Sequence, residues 1–176
     1  MGLDITAYSN IKRLDAFLND DGDAVYSGTD EAVKERYFHI WKNPSFPGRA
    51  DDLVDDAIYT FEDCIGHGIG YGGYYWWRNE LAGLAGYPVS EHTVSFGKEN
   101  NHFGGALNAE SGPFYELINF SDCEGVIGAV VATKLLADFN TFNDQAEEIG
   151  GQFFEQFKHW KAAMKMASNN GCISFH

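Results

Sequence analysis

The sequence predicts an α+β fold, with a mixed or mainly antiparallel sheet of about four to six short strands and three main helices packed against it. Three observations lead there. Over residues 3–9, Leu3, Ile5 and Ala7 alternate with Asp4, Thr6 and Tyr8, the period of a half-buried strand. Farther along, apolar residues recur at three- and four-residue spacing, the period of helices. Strands and helices do not alternate as regular βαβ units, so a doubly wound parallel sheet is not expected. No repeat, low-complexity tract or linker divides the 176 residues, and residues 1–176 are read as a single globular domain.

In chain order, the opening strand over 3–9 has room to continue to Leu14 and is followed by a polar turn at 19–23. A second strand, rich in aromatic and β-branched residues, is expected over 37–41, before Asn43-Pro44 and Pro47-Gly48 break it. A third is short, at 57–61. Gly66, Gly68, Gly70, Gly72 and Gly73 then read as a tight turn. The first helix is expected over 74–85, because Tyr74, Trp77, Leu81 and Leu84 share a face and Gly86 with Pro88 end it. After a strand at 92–96, residues 97–112 are rich in Asn and Gly without periodicity and form the longest expected loop. A strand at 114–120 leads to a second helix carrying Ile127, Val131, Leu135 and Phe139. A third helix aligns Ile149, Phe153, Phe157, Trp160 and Met164, and residues 172–175 close the sheet.

Composition excludes several function classes. The hydrophobic fraction of 44% and aromatic fraction of 15% supply more apolar surface than a disordered chain carries. A formal net charge of −14 disfavours direct nucleic-acid binding, which needs a cationic surface, and suits solubility or a basic partner. Cys64, Cys123 and Cys172 are odd in number and lack C-x-x-C spacing, which implies a reducing cytoplasm rather than a disulfide framework. No apolar run is long enough to span a bilayer, and no cationic-then-apolar leader opens the chain, so neither membrane insertion nor secretion is expected. Gly2 through Thr6 match the myristoylation pattern, but no basic cluster follows to hold a single acyl chain.

Four groups of residues bear on chemistry. Gly68-Ile69-Gly70-Tyr71-Gly72-Gly73 spells G-x-G-x-x-G, the phosphate-approaching turn of dinucleotide sites. Against that reading, Glu62 and Asp63 sit where a buried parallel strand would be apolar, and a structural turn fits better. Ser121-Asp122-Cys123-Glu124 precedes the second helix, where a thiol could become a nucleophile if His67 or His92 approached as base. The same residues fit an S-x-x-E capping box with no catalytic role. Cys64 and His67 offer two zinc ligands where a structural site needs four, and Asp51, Asp52, Asp55 and Asp56 lack the pattern of a calcium loop. They read as a solvated acidic face with Arg49 paired to one of them. Trp76, Trp77 and Arg78 could form a stacking platform, with Arg78 paired to Glu80 or Asp122. The candidate ligand-binding set is Gly70, Tyr71, Tyr74, Trp77, Arg78, Ser121, Asp122, Cys123 and Glu124. No catalytic residue is assigned, and no metal or cofactor is expected.

The opening MGLDITAYS, NPSFPGRADDL, YGGYYWWRNELAGLAG and FYELINFSDCEGVIGAVVATKLLADF together resemble a family of uncharacterised bacteriophage and prophage proteins. The resemblance spans most of the chain apart from residues 19–34 and 92–112 and implies a cytoplasmic setting in a bacterial host, without implying an activity. The leading expectation is a non-enzymatic binding protein that meets a basic surface of a host protein. The alternative is a small-molecule, nucleotide-like site or enzyme where the glycine turn and the 121–124 segment meet.

Overall fold

A computed structural model describes residues 2–29, 31–94 and 97–176. The elements follow in chain order: β1 (Gly2–Ser9), β2 (Lys12–Arg13), β3 (Ala16–Leu18), β4 (Ala24–Tyr26), β5 (Tyr37–His39), β6 (Ile58–Thr60) and β7 (Asp63–Gly70). Next come α1 (Tyr71–Leu84), β8 (Ser90–Val94), β9 (Gly97–Asn101), α2 (His102–Leu107) and α3 (Tyr115–Ile118). The chain closes with β10 (Gly125–Gly128), α4 (Ala129–Thr141), α5 (Asn143–Ile149), α6 (Gly151–Ala167) and β11 (Cys172–Phe175). Among the described residues every strand pairing is antiparallel, within the expected range of a mixed or mainly antiparallel sheet.

The main sheet runs β10-β11-β1-β7, and three smaller sheets accompany it: β2-β6-β5, β3-β4 and the β8-β9 hairpin. Alternation along β1 sends Leu3, Ile5 and Ala7 into the larger core, where they meet residues of α1, α4 and α6. Tyr8 turns to the opposite face and joins Phe38, Tyr59, Val126 and Cys172 in a smaller core under the β2-β6-β5 sheet. The main sheet is thus covered by helices on one side and, over part of the other, by short strands.

Several sequence expectations are corrected. The glycine run is not a turn: Gly66, Gly68 and Gly70 lie in β7 and pair with Thr6, Asp4 and Gly2 of β1, and Tyr71 begins α1 directly. Residues 97–112 are not a long loop but an arm of a hairpin followed by α2. Gly104 and Gly105 explain that composition, because a Cβ at either would collide with the carbonyl of Ser90 or Pro88. Residues 114–120 hold the single turn α3 rather than a strand, entered through Phe114 at φ 56°. Ile127 belongs to β10, so the second long helix starts at Ala129. Ile149 ends α5 and not α6, since Gly150 and Gly151 at φ 67° and 56° interrupt the helical path. The strand expected at 92–96 is β8, whose described part ends at Val94, while Ser95 and Phe96 lie outside the described residues.

Candidate functional site

Helical spacing places Tyr71, Tyr75 and Arg78 along one side of α1. That side faces the β8-β9 hairpin and α2 across an open groove of about 960 Å³. His92, Lys98 and Glu99 of the hairpin, Phe103 of α2 and Asp122 line it together with Tyr71, Tyr75 and Arg78. Tyr71 is 37% exposed, so its ring is available to a ligand.

Hydrogen bonds fix the hairpin to α1. Tyr75 donates to Glu99 Oε2 at 2.6 Å, and its oxygen accepts from Asn101 Nδ2 at 3.0 Å. His92 Nε2 lies 3.1 Å from the same oxygen, and the other ring nitrogen is Nδ1. That Nδ1 is buried without a hydrogen-bond partner among the described residues. Asn101 also caps α2, its Oδ1 accepting from the Gly104 amide at 2.9 Å, so one side chain serves the helix and the groove wall together. Burial, and after it the bond to Glu99, raises the pKa of Tyr75 and keeps the phenol neutral.

Arg78 is only 5% exposed. Its Nη1 donates to the carbonyls of Ile118 at 3.3 Å and Phe120 at 2.9 Å. Its guanidinium sits 4.2 Å from the Tyr74 ring centroid and 4.9 Å from that of Phe103. Asp122 is its carboxylate partner, at 3.9 Å from Nη2, as expected from the sequence. Arg78 therefore clamps the segment after α3 onto α1 and carries positive charge at the groove floor. Toward solvent the balance is negative, because Lys98 is held by Glu91 at 2.6 Å while the Asp122 side chain is 55% exposed.

Of the sequence-derived set, the groove gathers Tyr71, Arg78 and Asp122. Gly70 is the N-cap residue of α1 at the end of β7. Tyr74 and Trp77 are withdrawn from any ligand, both fully buried against Trp160 with ring centroids 5.4 and 5.2 Å away. Ser121 caps no helix: its Oγ accepts from the Cys123 and Glu124 amides at 3.2 and 3.1 Å, shaping a turn ahead of β10. Neither of the two histidines named as a base for Cys123 bonds it: His67 Nε2 bonds Gln156 at 2.7 Å and His92 bonds Tyr75. Glu124 lines a different cavity, of about 530 Å³, with His39, Trp41 and His176.

The remaining motif readings also change. Antiparallel pairing of β7 with β1 rules out the dinucleotide turn, which needs a loop after a parallel strand. Cys64 and His67, three residues apart on one strand, project to opposite faces and cannot share an ion. Among the described residues no group of three or more His, Cys, Asp or Glu side chains is placed to hold a metal. Among the described residues Arg49 bonds no aspartate but the carbonyls of Glu116 at 3.1 Å and Asn119 at 3.0 Å. The aspartates beside it work locally: Asp52 accepts from the Val130 amide in the first turn of α4, and Asp55 from the Lys42 amide.

Tyr75, Glu99 and Phe103 went unrecognised as groove residues. Tyr75 sits four residues from Tyr71, a spacing visible in the sequence, but Glu99 and Phe103 lie in the stretch read as a loop. Comparison of the chain with protein-family models, with curated proteins and with solved structures finds no match in any of the three.

Proposed function

We propose that this is a non-enzymatic binding protein whose groove between α1 and the β8-β9 hairpin receives a basic segment of a partner. The observation that carries the reading is the joining of aromatic side chains, of which Tyr71 is exposed and Phe103 buried, to carboxylates. Tyr71, Tyr75 and Phe103 stand beside Glu99 and Asp122 in a chain of net charge −14. Aromatic faces and carboxylates together suit an arginine or lysine side chain, which gains cation–π contact and charge neutralisation at once. Arg78 does not oppose such a ligand strongly, being enclosed by rings and bonded to carbonyls. The resemblance to phage and prophage proteins supports a bacterial host protein in the cytoplasm as the partner. Direct nucleic-acid binding is disfavoured by the charge.

The test uses a labelled oligoarginine peptide as probe, followed by fluorescence anisotropy at low and high salt. Binding should weaken with salt, and Tyr71→Ala should weaken it roughly tenfold. Asp122→Asn should act in the same direction. Unchanged affinity in both variants would remove the groove from the proposal.

A second reading keeps the same groove for a small, nucleotide-like molecule, favoured by a volume of about 960 Å³ at the upper end of ordinary ligand pockets. A nucleoside monophosphate that raises the melting temperature in a Tyr71-dependent manner, with no effect of oligoarginine, would select it. Turnover of that nucleotide would make the protein an enzyme.

A further inference from the structure

β7 is an edge of the main sheet, and the pairing of β1 shows which of its backbone groups are free. Asp4 and His176 exchange both backbone hydrogen bonds, at 3.0 and 2.9 Å. In antiparallel ladders such exchanges fall on alternate residues, so Asp4, Thr6 and Tyr8 direct their amides and carbonyls toward β11. Leu3, Ile5, Ala7 and Ser9 then direct theirs toward β7, to Ile69, His67, Ile65 and Asp63. The amides and carbonyls of Cys64, Gly66 and Gly68 consequently point away from the sheet. All three residues are exposed, and among the described residues no backbone group bonds them.

Natural edge strands are ordinarily short, or guarded by lysine, proline, a bulge or a covering segment. β7 has eight residues in unbroken register with β1, with neither lysine nor proline, and glycine at two of the three outward positions leaves the backbone unscreened. We propose that β7 pairs antiparallel with β7 of a second copy about a two-fold axis, joining the two main sheets edge to edge.

Two features favour a second copy over another partner. A two-fold axis perpendicular to the sheet makes an antiparallel edge its own complement. It sets Gly66 against Gly66 or Gly68 of the copy, positions that carry no side chain of their own. Charge points the same way: the chain holds 26 Asp and Glu, yet residues 64–70 include none. Between Cys64 and Gly70 the strand itself adds no carboxylate to the repulsion between two acidic copies and offers none to a basic partner.

Sedimentation equilibrium of the intact chain over a range of concentrations, at low and high salt, tests the proposal. Self-association should strengthen with salt, as screening reduces repulsion between copies, the opposite sign from basic-peptide binding in the groove. Gly66→Pro removes the central amide from each copy and should weaken the dimer roughly thirtyfold, the loss of two hydrogen bonds. Gly66 has room for a side chain, its nearest contact being the Ile5 carbonyl at 3.8 Å, and circular dichroism checks that the variant is folded. Amide exchange gives an independent readout: Gly66 and Gly68 should gain protection as concentration rises, while Ile65, His67 and Ile69 are protected throughout. A monomer at every concentration overturns the proposal. So does a dimer in which the Gly66 and Gly68 amides exchange freely, or protection that arises only when a different protein is added.

Discussion

The two faces of the main sheet bury aromatic rings to different depths. On the helical face Trp77, Trp160, Phe114, Phe139 and Phe157 are all fully buried, and Trp160 stacks on both Tyr74 and Trp77. On the opposite face Tyr8 stacks on Phe38 at 3.9 Å, yet both rings keep 8–9% of their surface. The difference follows from what covers each side. α4 and α6, of 13 and 17 residues, present continuous apolar stripes that close over a ring from end to end. β5 and β6 are three residues each and form a smaller cover. The helical face should therefore hold most of the stability, with the strand-covered face adding a smaller share.

Truncating a ring on each side measures that contrast directly. Trp160→Ala should cost about 3–5 kcal/mol in urea unfolding, because the surrounding rings cannot collapse into the space. Phe38→Ala, in the thinner layer, should cost about 2–3 kcal/mol. Equal losses would mean that both faces are enclosed alike.

Arg78→Met should cost about 2 kcal/mol, by stranding the carbonyls of Ile118 and Phe120 beneath the helices. Arg78→Lys should not restore the loss, since one ammonium cannot lie flat between Tyr74 and Phe103 while meeting both carbonyls. Full rescue by lysine would reduce the clamp to a simple charge effect.

Alkaline titration is the mildest probe. Burial pushes the Tyr74 phenol on the helical face up from 10.0 to about 12. Tyr8 on the other face is also raised by burial, with the hydrogen bond to Thr6 opposing. A raised folded pKa favours ionisation in the unfolded chain. The stabilising contribution of Tyr74 is thus complete below about pH 10 and lost as pH rises toward about 12. Tyr74→Phe should flatten the alkaline fall of stability over that window, and an unchanged slope would place the effect elsewhere.

Legibility in the sequence followed the range of the interaction. β1 and β11 were readable because alternation at Leu3, Ile5 and Ala7 is a local signal with one physical cause. The Asn- and Gly-rich stretch at 97–112 misled because glycine signals a turn when read locally. At Gly104 and Gly105 it instead answers a distant demand, the close approach of the 88–90 backbone. Tyr71, Arg78 and Asp122 were named as candidates and do share a groove, while Tyr74 and Trp77 on the same helix turned inward. Helical period identifies a face of a helix but not what that face meets.

By itself the sequence determined the α+β class and the acidic character, since these rest on composition and on periodicities of two and 3.6 residues, and it left the sheet mixed or mainly antiparallel. Tertiary structure alone decided that a glycine run becomes an edge strand instead of a phosphate turn, and that Glu99 and Phe103 join Asp122 around Tyr75. Pairing and enclosure bring together residues far apart in the chain, and no local pattern records which partners they will meet.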